Sequence, residues 1–178
     1  NNLLFKFNNM KNIYIGYDTR EDIAYQVSKY SLVNKSADIQ VHPLKLAELV
    51  DKKLYWREED KLGSTEFTFS RFLVPELNNF KGWAMFCDCD LLFIEDVNKL
   101  FELVDDKYAL MCVQHNYNPS EGTKMDGKQQ TIYPRKNWSS VVLWNCGHQS
   151  NKKINKDLIK NPETTGKYLH RFSWLKDE

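Results

Sequence analysis

No apolar run in this chain reaches the length needed to cross a bilayer. Its first residues, Asn1 to Met10, lack the charged-then-apolar layout of a secretory signal. The expectation is a protein that does not span a membrane and works in the cytoplasm. An excess of one charge is missing as well: 25 Lys and Arg stand against 24 Asp and Glu, a net charge of +1. No broad positive field is available to grip nucleic acid, so none is expected as a partner. Cysteines are few, at positions 87, 89, 112 and 146. The Cys87-x-Cys89 pair is too tight for a zinc knuckle and no second close pair completes it. The thiols read as buried and free, in keeping with a reducing compartment. The chain shows no internal repeat.

What is present is an ordinary globular composition, 42% apolar and 28% charged. A length of 178 residues argues for one domain that buries its core without disulfides. Residues 1–10 are expected to be a leader or disordered, with Met10 as a possible initiator, and residues 11–178 form the domain.

The run Asn12 to Tyr17 reads as a first strand. Residues 20–34 read as an amphipathic helix with Ile23, Val27, Tyr30 and Val33 as its apolar stripe. Asp38 to Leu44 reads as a second strand. Strand, helix, strand in so short a span predicts a βαβ opening and parallel pairing. Residues 45–62 read as a short helix and loop. A helix starting at Ser64 carries Phe69, Phe72, Leu73 and Leu77 on one stripe and is kinked or ended by Pro75. The nearly continuous apolar run Trp83 to Cys87 predicts a central strand covered on both faces. Asp96 caps a short helix through Phe101. Strands follow at 108–114 and 140–146, separated by a long Asn-, Gly- and Lys-rich loop at 115–137. The remainder, 151–178, is lysine-rich and mostly helical.

Asp88-Cys89-Asp90 interrupts the most apolar stretch of the chain. In extended backbone, residues two apart point to the same side, so Asp88 and Asp90 would aim at one point. Two bare carboxylates there repel and lose hydration, and a divalent cation relieves both costs. Oxygen ligands with open positions suit Mg²⁺ or Mn²⁺. The carboxyl edge of an open α/β sheet is also where ligands bind. The plain alternative is that such a pair only solvates and caps a turn.

The segment from Phe86 through Asp88-Cys89-Asp90-Leu91-Leu92-Phe93-Ile94 to Leu100-Phe101 resembles GT-A glycosyltransferases. It is closest to the glycogenin and lipopolysaccharide galactosyltransferase group, family 8. The resemblance is specific over residues 83–101 and weaker over 12–146. It implies a single-domain α/β fold of GT-A type, a Rossmann-like mixed sheet flanked by helices. It implies a nucleotide-diphosphate sugar donor, usually UDP-linked, with Mn²⁺ or Mg²⁺ joining the pyrophosphate to Asp88 and Asp90, and transfer with retention to an acceptor hydroxyl. A glycan, a lipid-linked sugar or a protein could supply that hydroxyl. Donor contacts carried over from the resemblance are Tyr17, Asp18, Arg71, Asp88, Cys89 and Ser140. For each a simpler role stands beside it: packing for Tyr17, a helix cap for Asp18, a surface ion pair for Arg71, a strand start for Ser140.

The chain departs from the family in two places. Ser139 and Val141 stand where the family has Asn and Gly beside the sugar pocket. The family's histidine metal ligand near the carboxyl terminus has no match, since His115, His148 and His170 lie in other contexts. Asp177 is a weak counterpart of a family acidic residue, and the carboxyl-terminal part of the fold looks missing or reduced. Two other readings follow. One is a degenerate sugar-nucleotide-binding module without turnover. The other is a HAD-type phosphohydrolase, which wants Thr or Val where Leu92 stands.

Overall fold

The computed structural model describes residues 10–57, 63–115, 122–123, 129–130, 135 and 137–175. Residues 1–9 and Asp177, and with them the expected leader and the weak acidic candidate, lie outside the described residues.

The first strand, β1 (Lys11–Gly16), leads through a 3₁₀ turn at Thr19–Glu21 into helix α1 (Asp22–Lys35), and then into β2 (Ile39–Leu44). β2 pairs with β1 in parallel, which completes the expected βαβ opening. β2 is an edge strand, and this is why Pro43 is tolerated inside it. Helix α2 (Leu46–Asp51) follows, then a 3₁₀ turn at Ser70–Leu73, helix α3 (Val74–Leu77) and strand β3 (Trp83–Cys87). β3 pairs in parallel with the other side of β1. Next come helix α4 (Asn98–Phe101), β4 (Leu110–Cys112), the two-residue strands β5 (Gly122–Thr123) and β6 (Gln129–Gln130), and β7 (Val141–Asn145). β7 runs antiparallel between β3 and β4, so the sheet is mixed, in the order β2-β1-β3-β7-β4. Most of the long loop expected at 115–137 lies outside the described residues, apart from the small β5–β6 ladder. Helices α5 (Lys156–Lys160) and α6 (Gly166–His170) close the chain. Asn155 and Thr165 cap them by accepting from the amides of Leu158 and Tyr168.

The core follows from these pairings. Ile13, Ile15, Ala84, Met85, Phe86 and Trp144 are buried along the central strands, as near-continuous apolar runs require. Gly16 closes β1 because Phe67 leaves no room for a side chain: a Cβ there would sit 2.5 Å from the Phe67 ring.

Three expectations need correction. The stripe assigned to the core face of α1 faces outward: Ile23 is 81% exposed and Tyr30 72%, and Val27 and Val33 are exposed too. The inward face carries Tyr25, Ser28, Ser31 and Leu32. It meets the irregular segment 91–97, whose amides need acceptors. The Ser31 hydroxyl accepts from Phe93 N, and the hydroxyl of Ser36, just past the helix, accepts from Val97 N. A polar requirement there outweighed hydrophobic periodicity. Second, no single helix starts at Ser64; turns lead to the 3₁₀ segment, and Pro75 sits in the first turn of α3 rather than ending a helix. Proline suits that turn because its missing N–H would have no partner. Third, the chain leaves extended geometry after Cys87, and Cys89 and Asp90 form a turn.

Candidate functional site

The carboxyl ends of β1 and β3 lie side by side, and β1 has β2 on its other flank. In open α/β sheets that carboxyl edge, where the strand order reverses, is where the ligand crevice lies. Gly16-Tyr17-Asp18 leaves β1 there, and Asp88-Cys89-Asp90 leaves β3.

Asp88 is the centre of the arrangement. Its amide still follows the sheet and donates to Ser140 O at 2.9 Å. Its carboxylate receives Arg71 Nη1 at 2.8 Å, with side chains only 22% and 9% exposed. Arg71 reaches this point from the 3₁₀ turn before α3. Its guanidinium lies 5.0 Å from the ring centres of both Phe67 and Phe86, a desolvated cation–π setting. Nη1 also donates to Ser139 O at 3.1 Å and Nε to Phe67 O at 3.3 Å. Among the described residues, Nη2 has no hydrogen-bond partner.

Burial pushes the Asp88 carboxyl above the ordinary range; the Arg71 charge opposes this, Asp90 adds to it, and hydrogen bonding from Ser140 and Arg71 lowers it again. The two acidic groups thus feel each other across the turn, with Asp90 exposed and Asp88 half-buried. Among the described residues, no group of three or more His, Cys, Asp and Glu is arranged to hold a metal.

The other residues expected at the site are held as follows. Cys89 is 1% exposed, and its Sγ donates to Glu21 Oε2 at 3.1 Å. Burial, and then that hydrogen bond, push its thiol far up. Asp18 is fully buried and caps the 3₁₀ turn. Its Oδ1 accepts from Arg20 N and Nε, and its Oδ2 accepts from Arg20 Nη2 at 2.6 Å and from Glu66 N at 3.1 Å. The Arg20 hydrogen bond is the main reason its pKa falls to about 2. Tyr17 donates its hydroxyl to Asp22 Oδ1 at 2.8 Å and lies edge-on to Tyr25. The structure therefore brings Arg71, Asp88 and Ser140 into one cluster, while Tyr17, Asp18 and Cys89 are engaged by their own neighbours.

Two participants were not expected. Ser139 offers its carbonyl to Arg71 and bonds through Oγ to His170 Nδ1 at 2.8 Å. His170 comes from α6 and lies edge-on to Phe72. A single sequence carries no signal for a contact spanning thirty-one residues.

No protein-family model matches this chain. Among curated proteins, Protein CDI of Arabidopsis thaliana is 54% identical over 167 residues, covering 93% of this chain and 64% of that protein. The chain thus spans just under two thirds of that relative's length. Two solved structures of the glycosyltransferase GlyE of Streptococcus pneumoniae TIGR4 are similar to it, each at 17% identity. Their TM-scores are 0.59 and 0.55, over 96% and 88% of this chain and 44% and 39% of those chains. The apo structure of the bifunctional glycosyltransferase WbbM gives a TM-score of 0.57 at 10% identity, over 85% of this chain and 34% of that one. The likeness at such identities is one of fold. The chain has the GT-A-like architecture, one domain with a five-stranded mixed sheet flanked by helices.

Proposed function

We propose that this chain carries the donor-binding half of a glycosyltransferase, related to family 8, that moves a sugar from a nucleotide diphosphate, UDP by preference, to an acceptor hydroxyl. The observation that carries the reading is the Arg71–Asp88 pair at the carboxyl end of β3, in a fold shared with glycosyltransferases. In this reading Asp88 and Asp90 would supply oxygen ligands to a Mn²⁺ or Mg²⁺ ion that helps to hold the donor's diphosphate. Two carboxylates suit such an ion, which commonly takes few protein ligands in phosphate sites. Bound there, it would offset charge on the diphosphate.

The residues of the chain have separate tasks. Arg71 keeps a positive charge against Asp88 in a half-buried place, where an unpaired carboxylate would be costly. Its open Nη2 is the edge that would face a diphosphate oxygen. Ser140, half-buried at the end of the 3₁₀ turn Trp138–Ser140 just before β7, borders the same carboxylate. In this reading Tyr17 and the Gly16 carbonyl edge of the crevice face the nucleoside, while Asp18 and Cys89 shape the two turns through Arg20 and Glu21 without touching donor themselves.

A second reading, donor binding without turnover, is favoured by two observations. Arg71 already neutralises Asp88, and no third acidic or histidine ligand joins the pair among the described residues.

A thermal-shift panel of UDP-, GDP- and ADP-sugars with and without Mn²⁺, followed by assay of UDP-sugar hydrolysis, tests both. A shift of several degrees that requires one nucleotide and the metal together, and is lost in Asp90→Asn, supports the site. Turnover in addition supports the transferase, and binding alone supports the module. Shifts that ignore the metal, or phosphate release from simple phosphomonoesters, would remove the reading.

A further inference from the structure

A second concave site lies at the opposite edge of the sheet, around the amino ends of β1 and β3. β3 is five residues long, so at ~3.3 Å per residue this groove stands roughly 17 Å from the Asp88 turn. Its volume of about 940 Å³ falls within the size of small-molecule sites. The crevice described above plays no part in it.

The polar side chains of the floor are hydrogen-bonded to one another and keep further donors and lone pairs. Asn12 Nδ2 donates to Asn78 Oδ1 at 2.8 Å, and Tyr14 Oη reaches the same oxygen at 3.4 Å. Asn12 Oδ1 bonds His42 Nε2 at 2.9 Å, and the His42 ring stacks on Tyr14 with centres 4.8 Å apart. Burial first, and then the Lys52 charge, lower the His42 pKa. Trp83 and Phe101 provide apolar walls, and Lys11 Nζ is poised 5.6 Å from the Phe101 ring centre. Lys81 is also part of the lining, and among the described residues no carboxylate is, although Asp106 accepts from Trp83 Nε1 at 2.7 Å.

The turn that carries Lys81 is the Schellman ending of α3, with Asn79 N bonded to Glu76 O at 2.8 Å and Phe80 N to Pro75 O at 2.7 Å. Asn79 and Phe80 hold φ of 54° and 52°, and Gly82 holds 61°. Asparagine is a usual occupant of the left-handed position, so the unfavourable backbone is that of Phe80. Beyond Gly82 the space is open, because a Cβ there would meet no atom within 4 Å.

We propose that this groove binds a sugar ring bearing a single carboxylate, such as a uronic acid. The polar floor offers hydroxyl-binding amide and ring groups, the aromatic walls accept the C–H face of a pyranose, and two lysines, with no carboxylate among the described lining residues, select the negative charge. A neutral sugar would leave both ammonium groups unused, and a small anion would leave the walls and floor unused. The proposal does not depend on the transfer chemistry of the other edge.

Amide NMR titration with glucuronate, glucose and acetate tests it. Glucuronate is expected to give saturable shifts at Asn12, Gly82 and Trp83, at least fivefold tighter than glucose and without a counterpart for acetate. The Lys11→Ala/Lys81→Ala double variant is expected to weaken glucuronate at least fivefold and to bring it level with glucose. If that variant folds poorly, Lys81→Gln alone carries the same comparison. Shifts that map elsewhere, equal responses to glucose and glucuronate, acetate reproducing the glucuronate shifts, or lysine variants of unchanged affinity would each overturn it.

Discussion

At the scale of single residues, the charged groups near the crevice are sorted by what holds them. Asp18 has both oxygens filled by Arg20 and by Glu66 N, and its pKa of about 2 lies below the ~3.9 of an unfolded aspartate. A group depressed on folding adds stability above its unfolded pKa and loses it as pH falls through the folded value. Asp18→Asn is therefore expected to lower the melting temperature at pH 7, with the gap from the parent shrinking between about pH 4 and pH 2. A gap that stays constant across thermal melts from pH 7 to pH 2 would mean that the side chain acts by shape rather than charge. Asp88 is the contrasting case, raised by burial despite the arginine beside it. The sequence displayed both aspartates plainly. It could not display that Arg71 bonds Asp88 directly, since the pair is joined only once α3 and β3 are packed.

At the scale of elements, legibility followed the physics of burial. β1, β3 and β7 were readable because central strands are apolar on both faces, and the three runs stand out against their flanks. The face of α1 was misread because its partner is irregular backbone that needs hydroxyl acceptors, a demand that hydrophobic periodicity does not encode. The end of α6 is a similar case. Phe172 N donates to Leu169 O and Ser173 N to Tyr168 O, the double bond of a Schellman ending. Glycine usually takes the left-handed position there, yet Phe172 holds it at φ 52°. Its ring compensates: it is 2% exposed and packs edge-on to Phe72, Trp144 and Trp174. Phe172→Ala should cost about 3–5 kcal/mol in urea unfolding, as loss of a buried aromatic does. Phe172→Gly should cost less, because relief of the left-handed backbone offsets part of the loss. A glycine variant weaker than the alanine one would show that the backbone there carries no strain.

At the scale of the molecule, the four thiols mark how thoroughly the sheet is covered. Cys87, Cys89 and Cys146 are buried and free, and Cys112 is half-buried. Burial pushes the Cys112 thiol to about 11 and the Cys146 thiol to about 12. Since the thiolate is the reactive form, alkylation at pH 7.5 should be slow for the native protein and should reach all four cysteines in denaturant. Rapid labelling of one site in the native state would reveal an opening in that cover. The expected fold, a mixed α/β sheet with the acidic turn on its carboxyl edge, was legible from strand order and apolar runs. The pocket at the other edge was not, because its residues come from four separate stretches and none stands out alone.

The sheet order also sets a timetable for synthesis. Among the described residues, β1, β2 and β3 pair only with one another until β7 arrives, and β4 pairs only with β7. On a ribosome the parallel half can assemble early, leaving the outer side of β3 and both sides of β4 bare while some thirty further residues are added, as domains forming amino end first would do. Arg71 and Asp88 can meet in that interval, but the carbonyl of Ser139 that completes their enclosure is delivered last. A nascent chain stalled before residue 139 should therefore expose a sticky strand edge and recruit chaperones, and release past residue 175, once Ile154, Ile159, Leu169 and Phe172 have joined the core, should end that recruitment.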